Sequence, residues 1–143
     1  MSVETAWVEP LSSWLLGHGF SFGEEREADG FQNILLRFRR GDCEVHLTRE
    51  RGEWRIGISP QGGDPVVSVN VWRCYLDGVD PDASEGPESI ESELAFIYER
   101  VDDVGAAAVR DGSIGEGLLD INWIVVKARL GLDPEMPRPG GRF

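Results

Sequence analysis

Two histidines and two cysteines carry the widest chemical repertoire in this chain. His46 lies two residues from Glu44. In an extended segment such residues share a face. A carboxylate beside an imidazole is the minimum arrangement for general-base chemistry. No nucleophile motif accompanies the pair, so His46 is expected as an exposed strand histidine. His18 stands between Gly17 and Gly19, at a helix end where a cation complements the dipole. A capping role is expected there. Cys43 and Cys74 fall on segments that read as strands one hairpin apart. A structural zinc site would need four ligands. Cys43 and His46 differ in parity and so point to opposite faces of a sheet. The expectation is two buried free thiols and no metal.

Asp80, Asp82 and Ser84 place oxygens at alternate positions, with Glu91 twelfth, in outline a calcium loop. Glu85 stands where that loop needs glycine, and Pro87 where an apolar residue belongs. Calcium is therefore not expected. Gly112-Ser113-Ile114-Gly115-Glu116-Gly117 is glycine-rich but follows a helical pattern and lacks the lysine of a phosphate loop. Arg40-Gly41-Asp42 spells an adhesion tripeptide and reads as a hairpin turn. Arg37, Arg39 and Arg55 share the polar parity of their strands. Such a face can hold an anion, although a solvated strand face is the plainer expectation. Five tryptophans are present. Trp54 and Trp72 read as core, and Trp7, Trp14 and Trp123 as core or partly exposed anchors.

The strongest pattern is charge. Residues 77–120 hold thirteen acids and two arginines, whereas residues 31–76 hold seven arginines and five acids. Within 77–93 stand Asp77, Asp80, Asp82, Glu85, Glu88, Glu91 and Glu93, with no base among them. They begin in a loop and run onto a helix. Mutual repulsion makes such a cluster unfavourable in the free protein, and a cationic partner relieves it. The competing reading is a solvated helix start whose acids serve the dipole and solubility. The charge pattern favours partner binding.

The elements that position these residues follow from periodicity. Pro10 suits the first turn of a helix whose Leu11, Trp14 and Leu15 share a face. Phe20 and Phe22 alternate with polar neighbours, and Asp29-Gly30 is a turn signal. Ile34, Leu36 and Phe38 alternate, as do Cys43, Val45 and Leu47, and then Trp54, Ile56 and Ile58. Ser59 to Pro65 breaks the pattern. In 66–76, Val67, Val69 and Val71 share one parity and Trp72, Cys74 and Leu76 the other. A fifth strand with a bulge near Val71, or one covered on both faces, accommodates this shift. Ile90, Leu94, Ile97, Val101 and Val104 recur at helical spacing. Ser113 and Glu116 fit a capping box for a last helix ending near Leu130, before Gly131 and Pro134. The β-branched run 124–126 makes a strand the competing assignment there. The order implies an α+β domain: an antiparallel meander of four to five strands, with an N-terminal helix and two C-terminal helices on one face. Residues 1–132 form the single domain, and 133–143 a flexible Pro/Gly-rich tail.

At 143 residues and a formal charge of −12, the chain suits one domain with a real core. Autonomous binding of nucleic acid or anionic membrane is not expected, because phosphate contacts need Lys and Arg. No apolar run reaches the ~18 residues of a membrane span. The first ten residues lack the basic and apolar regions of a signal peptide, and the two cysteines suit a reduced compartment, so a cytoplasmic location is expected.

In size, acidity and order of elements, the chain resembles the small acidic immunity proteins of bacterial polymorphic toxin systems. The resemblance spans the N-terminal helix, the strand block Phe31 to Leu76 and the acidic helix from Glu88. Phe31 to Arg40 and Trp54-Arg55-Ile56-Gly57 are its most family-like stretches. It implies a non-enzymatic, cofactor-free cytoplasmic protein that binds one cognate toxin and occludes its active site. The basic toxin is the expected partner. The alternatives are an export chaperone for an effector, which would expose an apolar groove, or a small anion-binding sensor using Arg37, Arg39 and Arg55.

Overall fold

The computed structural model describes residues 6–26, 33–50, 52–79 and 89–139. Helix α1, Val8–Leu16, leads into strands β1, Ser21–Arg26, β2, Ile34–Arg39, β3, Cys43–Glu50, and β4, Glu53–Pro60. The strands form one antiparallel sheet in the order β1-β2-β3-β4. Three helices follow: α2, Val69–Asp77, α3, Ile90–Arg110, and α4, Ile114–Leu130. This is the expected α+β class. The turn signal at Asp29-Gly30 lies outside the described residues.

Period-2 patterning sets the register. Phe38 faces Val45, which faces Ile58, and Leu36 faces Leu47, which faces Ile56. All six are buried. Helices cover this face with Leu11 and Leu15 from α1, Val69, Val71 and Trp72 from α2, Phe96, Ile97, Val101 and Val104 from α3, and Ile114 and Leu118 from α4. Burial of each large apolar side chain contributes about 1.5–3 kcal/mol. Trp54, expected as core, is only half-buried and packs edge-on against Trp7 at 6.4 Å.

The fifth strand is not formed. Residues 66–76 make a single bridge, Val67 to Ile58, and then wind into α2. The parity shift at Val71 has a helical cause. Val69, Val71, Trp72 and Cys74 are all buried, so this short helix is enclosed on most sides. The Trp72 indole N–H donates to the Ile58 carbonyl at 2.9 Å, fastening α2 to β4. Gly78 ends the helix in the left-handed region, φ 66°.

The expected capping box is also absent. Ser113 has φ −106° and ψ 21° and makes no side-chain cap, because an N-cap needs extended backbone to turn its oxygen onto the helix. Glu116 pairs with Arg138 instead. Arg138 also reaches Asp120 at 3.1 Å. Lys127 Nζ donates to the carbonyls of Pro134 and Met136, and Trp123 Nε1 donates to Met136. Residues 133–139 of the Pro/Gly-rich tail thus contact α4.

Arg40-Gly41-Asp42 forms the β2–β3 turn, with Arg40 N–H donating to the Cys43 carbonyl. Its two charged side chains face each other. Arg40 Nε and Nη2 donate to the two Asp42 oxygens at 2.7 and 3.0 Å. Arg40 Nη1 donates to Asp102 on α3 at 2.9 Å and, at 3.4 Å, to the His18 carbonyl after α1. The turn seats directly on Gly105. A Cβ there would stand 2.6 Å from Asp42 Cγ and 2.9 Å from Arg40 Nη2.

Gly105→Ala is therefore expected to destabilise the protein by about 2 kcal/mol, because overpacking here outweighs the ~1 kcal/mol helix-propensity gain from Gly to Ala. Urea denaturation measures this. The exposed neighbour change Ala106→Gly should cost only about 1 kcal/mol. A stabilised Gly105→Ala protein would show that the turn does not depend on this contact.

Candidate functional site

Two surfaces bring together the residues with chemical potential. The first is the solvent face of α3. Ser89 begins the helix, its hydroxyl accepting from Ser92 N–H at 3.2 Å. Glu91 and Glu93 fill the first turn, where acids complement the helix dipole. Glu91, Ala95, Tyr98, Asp102 and Ala106 are exposed and recur at helical spacing, with Glu99 and Asp103 beside them. Of the seven acids expected to bind a partner, Asp77, Glu91 and Glu93 are described; Asp80, Asp82, Glu85 and Glu88 lie outside the described residues. Asp77 ends α2 and has a cation the local sequence does not supply. Arg100 pairs with it at 3.0 Å and with Asp103 at 2.8 Å. Those hydrogen bonds hold Arg100 above its usual pKa.

An aromatic group borders this acidic stripe. Trp14 of α1 meets Tyr98 edge-on at 5.0 Å and stacks on His18 at 3.8 Å. His18 Nδ1 lies 2.7 Å from the Trp14 carbonyl, so the ring satisfies an orphan acceptor at the helix end. Exposed Leu16 stands on the same helix terminus. Helical spacing puts Trp14 on one face of α1 with Leu11 and Leu15, as core or a partly exposed anchor; its ring partner Tyr98 lies some eighty residues away, beyond the reach of local pattern.

The second surface is the outer face of the sheet. Arg39 pairs across with Glu44, and Glu44 with Ser59; Arg37 pairs with His46, and His46 with Gly57. Expected as solvated, this face is covered over the first half of β3. Glu44 and His46 are buried, so His46 is not the exposed strand histidine its parity suggested. The cover is the chain leaving β4. Gly62 and Gly63, both at positive φ, turn it back across the sheet. A Cβ on Gly63 would lie 3.3 Å from a Glu44 oxygen, and one on Gly57 would collide with Val66 at 2.6 Å. Glycine inside the β4 pattern was the readable sign of such close approach.

Arg37, Arg39, Glu44, His46, Gly62 and Gly63 line a cavity of about 370 Å³. His46 Nε2 stands 3.2 Å from Glu44 Oε1. Arg39 Nε and Arg37 Nε approach that oxygen at 3.6 and 4.0 Å. Burial lowers the His46 pKa, Glu44 opposes this, and the two arginines reinforce it, leaving a net downward shift. The ring is therefore neutral at pH 7. Arg55 stands apart from this group and lines a separate cavity with Trp54, Ile90 and Arg129.

Cys43 and Cys74 are buried free thiols. Desolvation, reinforced by Asp42, pushes Cys43 up to about 12, outweighing the Arg40 charge. It is inert as a nucleophile near neutrality. Among the described residues no group of three or more His, Cys, Asp or Glu side chains converges as metal ligands would. No described helix is long and apolar enough to cross a membrane. Comparison with protein-family models, with curated proteins and with solved structures found no match.

His46 makes stability depend on pH. Its folded pKa lies below the ordinary 6.5, so the unfolded chain takes up the proton first as pH falls. Stability should be level above about pH 7 and decline from about pH 6.5 down to the folded pKa. Thermal melts between pH 7.5 and 5 measure this. His46→Gln, which retains a polar partner for Glu44, should flatten the profile; an equally steep profile in that variant would place the titrating group elsewhere.

Proposed function

We propose that this chain is a non-catalytic binding protein that docks a basic protein partner through the solvent face of α3 and the acidic segment leading into it. The observation that carries the reading is the composition of that face. Glu91, Glu99, Asp102 and Asp103 are exposed on α3 together with Tyr98, whose ring Trp14 meets edge-on. Aromatic anchors inside a charged rim are how many interfaces divide affinity from specificity. The ring supplies desolvated contact, and the rim steers a cationic partner and repels acidic ones. A net charge of −12 reinforces the steering.

The kind of binding protein is an immunity protein, which neutralises a cognate bacterial toxin by covering its active site. Support for this comes from the small acidic α+β architecture together with the partner chemistry above. Enzymes that act on nucleic acid present basic clefts, and an acidic ridge built on a rigid 21-residue helix is suited to fill one.

Protection of cells is the test. The chain, expressed with a secreted basic enzyme encoded beside its gene, should protect cells from that enzyme. The combined change Tyr98→Ala and Glu99→Lys should abolish protection while the protein stays folded, its melting temperature lowered only by the few degrees that losing the Trp14 ring contact, about 0.5–1.5 kcal/mol, entails. With the purified pair, Glu91→Lys plus Glu99→Lys should slow association roughly tenfold at low salt and flatten its salt dependence. Reversal of Asp80, Asp82 and Glu85 to Lys should act in the same direction. Unaltered protection and on-rate in these variants would remove α3 from recognition. Failure to inhibit the enzyme at all would remove the immunity reading.

A further inference from the structure

We propose that this chain forms a twofold dimer in which α4 packs antiparallel against α4 of a second copy. The contact is the face of α4 turned away from the core. It uses none of the α3 residues assigned to the basic partner and does not rest on that assignment.

Helix α4 carries two apolar stripes. Ile114, Leu118, Ile121 and Val125 recur at spacings of four, three and four. This stripe faces inward: Ile114, Leu118 and Val125 are buried, and Ile121 packs against the core. Leu119, Trp123, Val126 and Leu130 repeat the same spacing on the opposite side of the helix. None of these four belongs to the core cluster or to the apolar residues packed against it. Leu130 is 68% exposed. No charged residue interrupts 121–126. A surface helix presents one apolar stripe to its own core, so a second stripe calls for a second surface. Alternation of four and three is the seam that another helix fits.

Charge identifies the occupant as a second copy. At a net charge of −12, two chains repel each other unless they meet where charge is balanced. Helix α3, with five acids and two arginines, is not such a place; residues 114–139, with four acids and three bases, are. The order of those charges suits self-pairing. Asp120 and Lys127 flank the outer stripe on the same side, seven residues apart. Like flanks meet in an antiparallel pair, so Asp120 of each copy faces Lys127 of the other. Asp120 is 66% exposed and shares Arg138 with Glu116, two carboxylates to one cation. Lys127 donates to the carbonyls of Pro134 and Met136 and pairs with no carboxylate among the described residues. Trp123 stands near the twofold axis. Its indole N–H is already held by the Met136 carbonyl, so burying the ring orphans no donor. Opposed helix dipoles favour the same orientation.

The test is sedimentation equilibrium of the full chain over roughly a hundredfold range of concentration. The mass should rise from 15.9 kDa toward twice that value. Leu130→Glu should weaken association at least roughly tenfold, because a charge at the seam has no partner there. Val109→Glu places the same charge on an exposed apolar residue of α3 and should leave association unchanged. Asp120→Lys and Lys127→Glu should each weaken self-association. An equimolar mixture of those two variants should restore it, because the mixed pair again opposes unlike charges. Circular dichroism checks that each variant is folded, and the charge pair serves where Leu130→Glu is not. A chain that stays monomeric throughout overturns the proposal and leaves the stripe to a different protein. Association that survives Leu130→Glu in a folded chain, or that mixing of the two charge variants fails to restore, overturns it as well.

Discussion

The junction at Arg40 ties the β2–β3 hairpin to α3 and to the end of α1. One guanidinium holds its own hairpin through Asp42, reaches α3 through Asp102 and touches the carbonyl of His18 where α1 ends. It also lies over the Phe20 ring at 4.7 Å, at the entry to β1. The planar fork makes this possible, since a lysine has no second edge to offer. Desolvation raises Asp42 while the Arg40 hydrogen bonds and charge lower it, and the balance leaves its carboxyl below the usual range. The pair is ionised at any ordinary pH. Gly105 is the steric half of the same constraint, because only a helix position without a Cβ lets the turn approach so closely.

That junction places both candidate surfaces. It joins the end of α1 to α3 near the contact where Trp14 braces Tyr98 and the aromatic group borders the acidic stripe. It also fixes the β2–β3 hairpin, on whose outer face Arg37, Arg39, Glu44 and His46 assemble. One hairpin therefore presents an apolar face to the helices and a polar face to the returning loop. Over Cys43 to Leu47 the strand is buried on both sides. A polar row can be buried only if its charges are balanced and its hydrogen bonds met. The Glu44–His46 contact and the two arginines do most of this, with His46 staying neutral as the remaining concession to desolvation.

The arginine bias of residues 31–76 and the acid bias of residues 77–120 thus have different meanings. Arg40 and Arg100 are joints between elements, each holding two carboxylates. Arg37 and Arg39 gather round a cavity. Of the acids of α3, Asp102 and Asp103 belong to those joints, Glu91 and Glu99 are exposed, and Glu93 is half-buried beside the cavity that Arg55 lines. Counting charge along the chain cannot separate these roles, because Arg100, which holds Asp77, and Asp102, which Arg40 reaches, come from other elements.

Local pattern alone determined a good deal here. Strict alternation specified β2, β3 and β4, since a strand with one apolar face tolerates no register slip. Period-3.6 spacing specified α3, and Gly131 and Pro134 marked the end of α4. The acidity of 77–93 and the turn at Arg40-Gly41-Asp42 were equally plain. What failed was whatever depended on distant chain. Residues 66–76 looked like a strand because Val67, Val69 and Val71 alternate, but burial on nearly every side makes both parities apolar, and a short enclosed helix shows the same letters. His46 looked exposed because alternation describes one strand and not the loop that returns over it. Ser113 and Glu116 have the spacing of a cap, yet backbone angles and Arg138 decide whether one forms. Tertiary structure alone brought Trp14 to Tyr98, Arg40 to Asp102 and the Gly62–Gly63 turn to Glu44, because each contact joins residues that only chain closure makes neighbours.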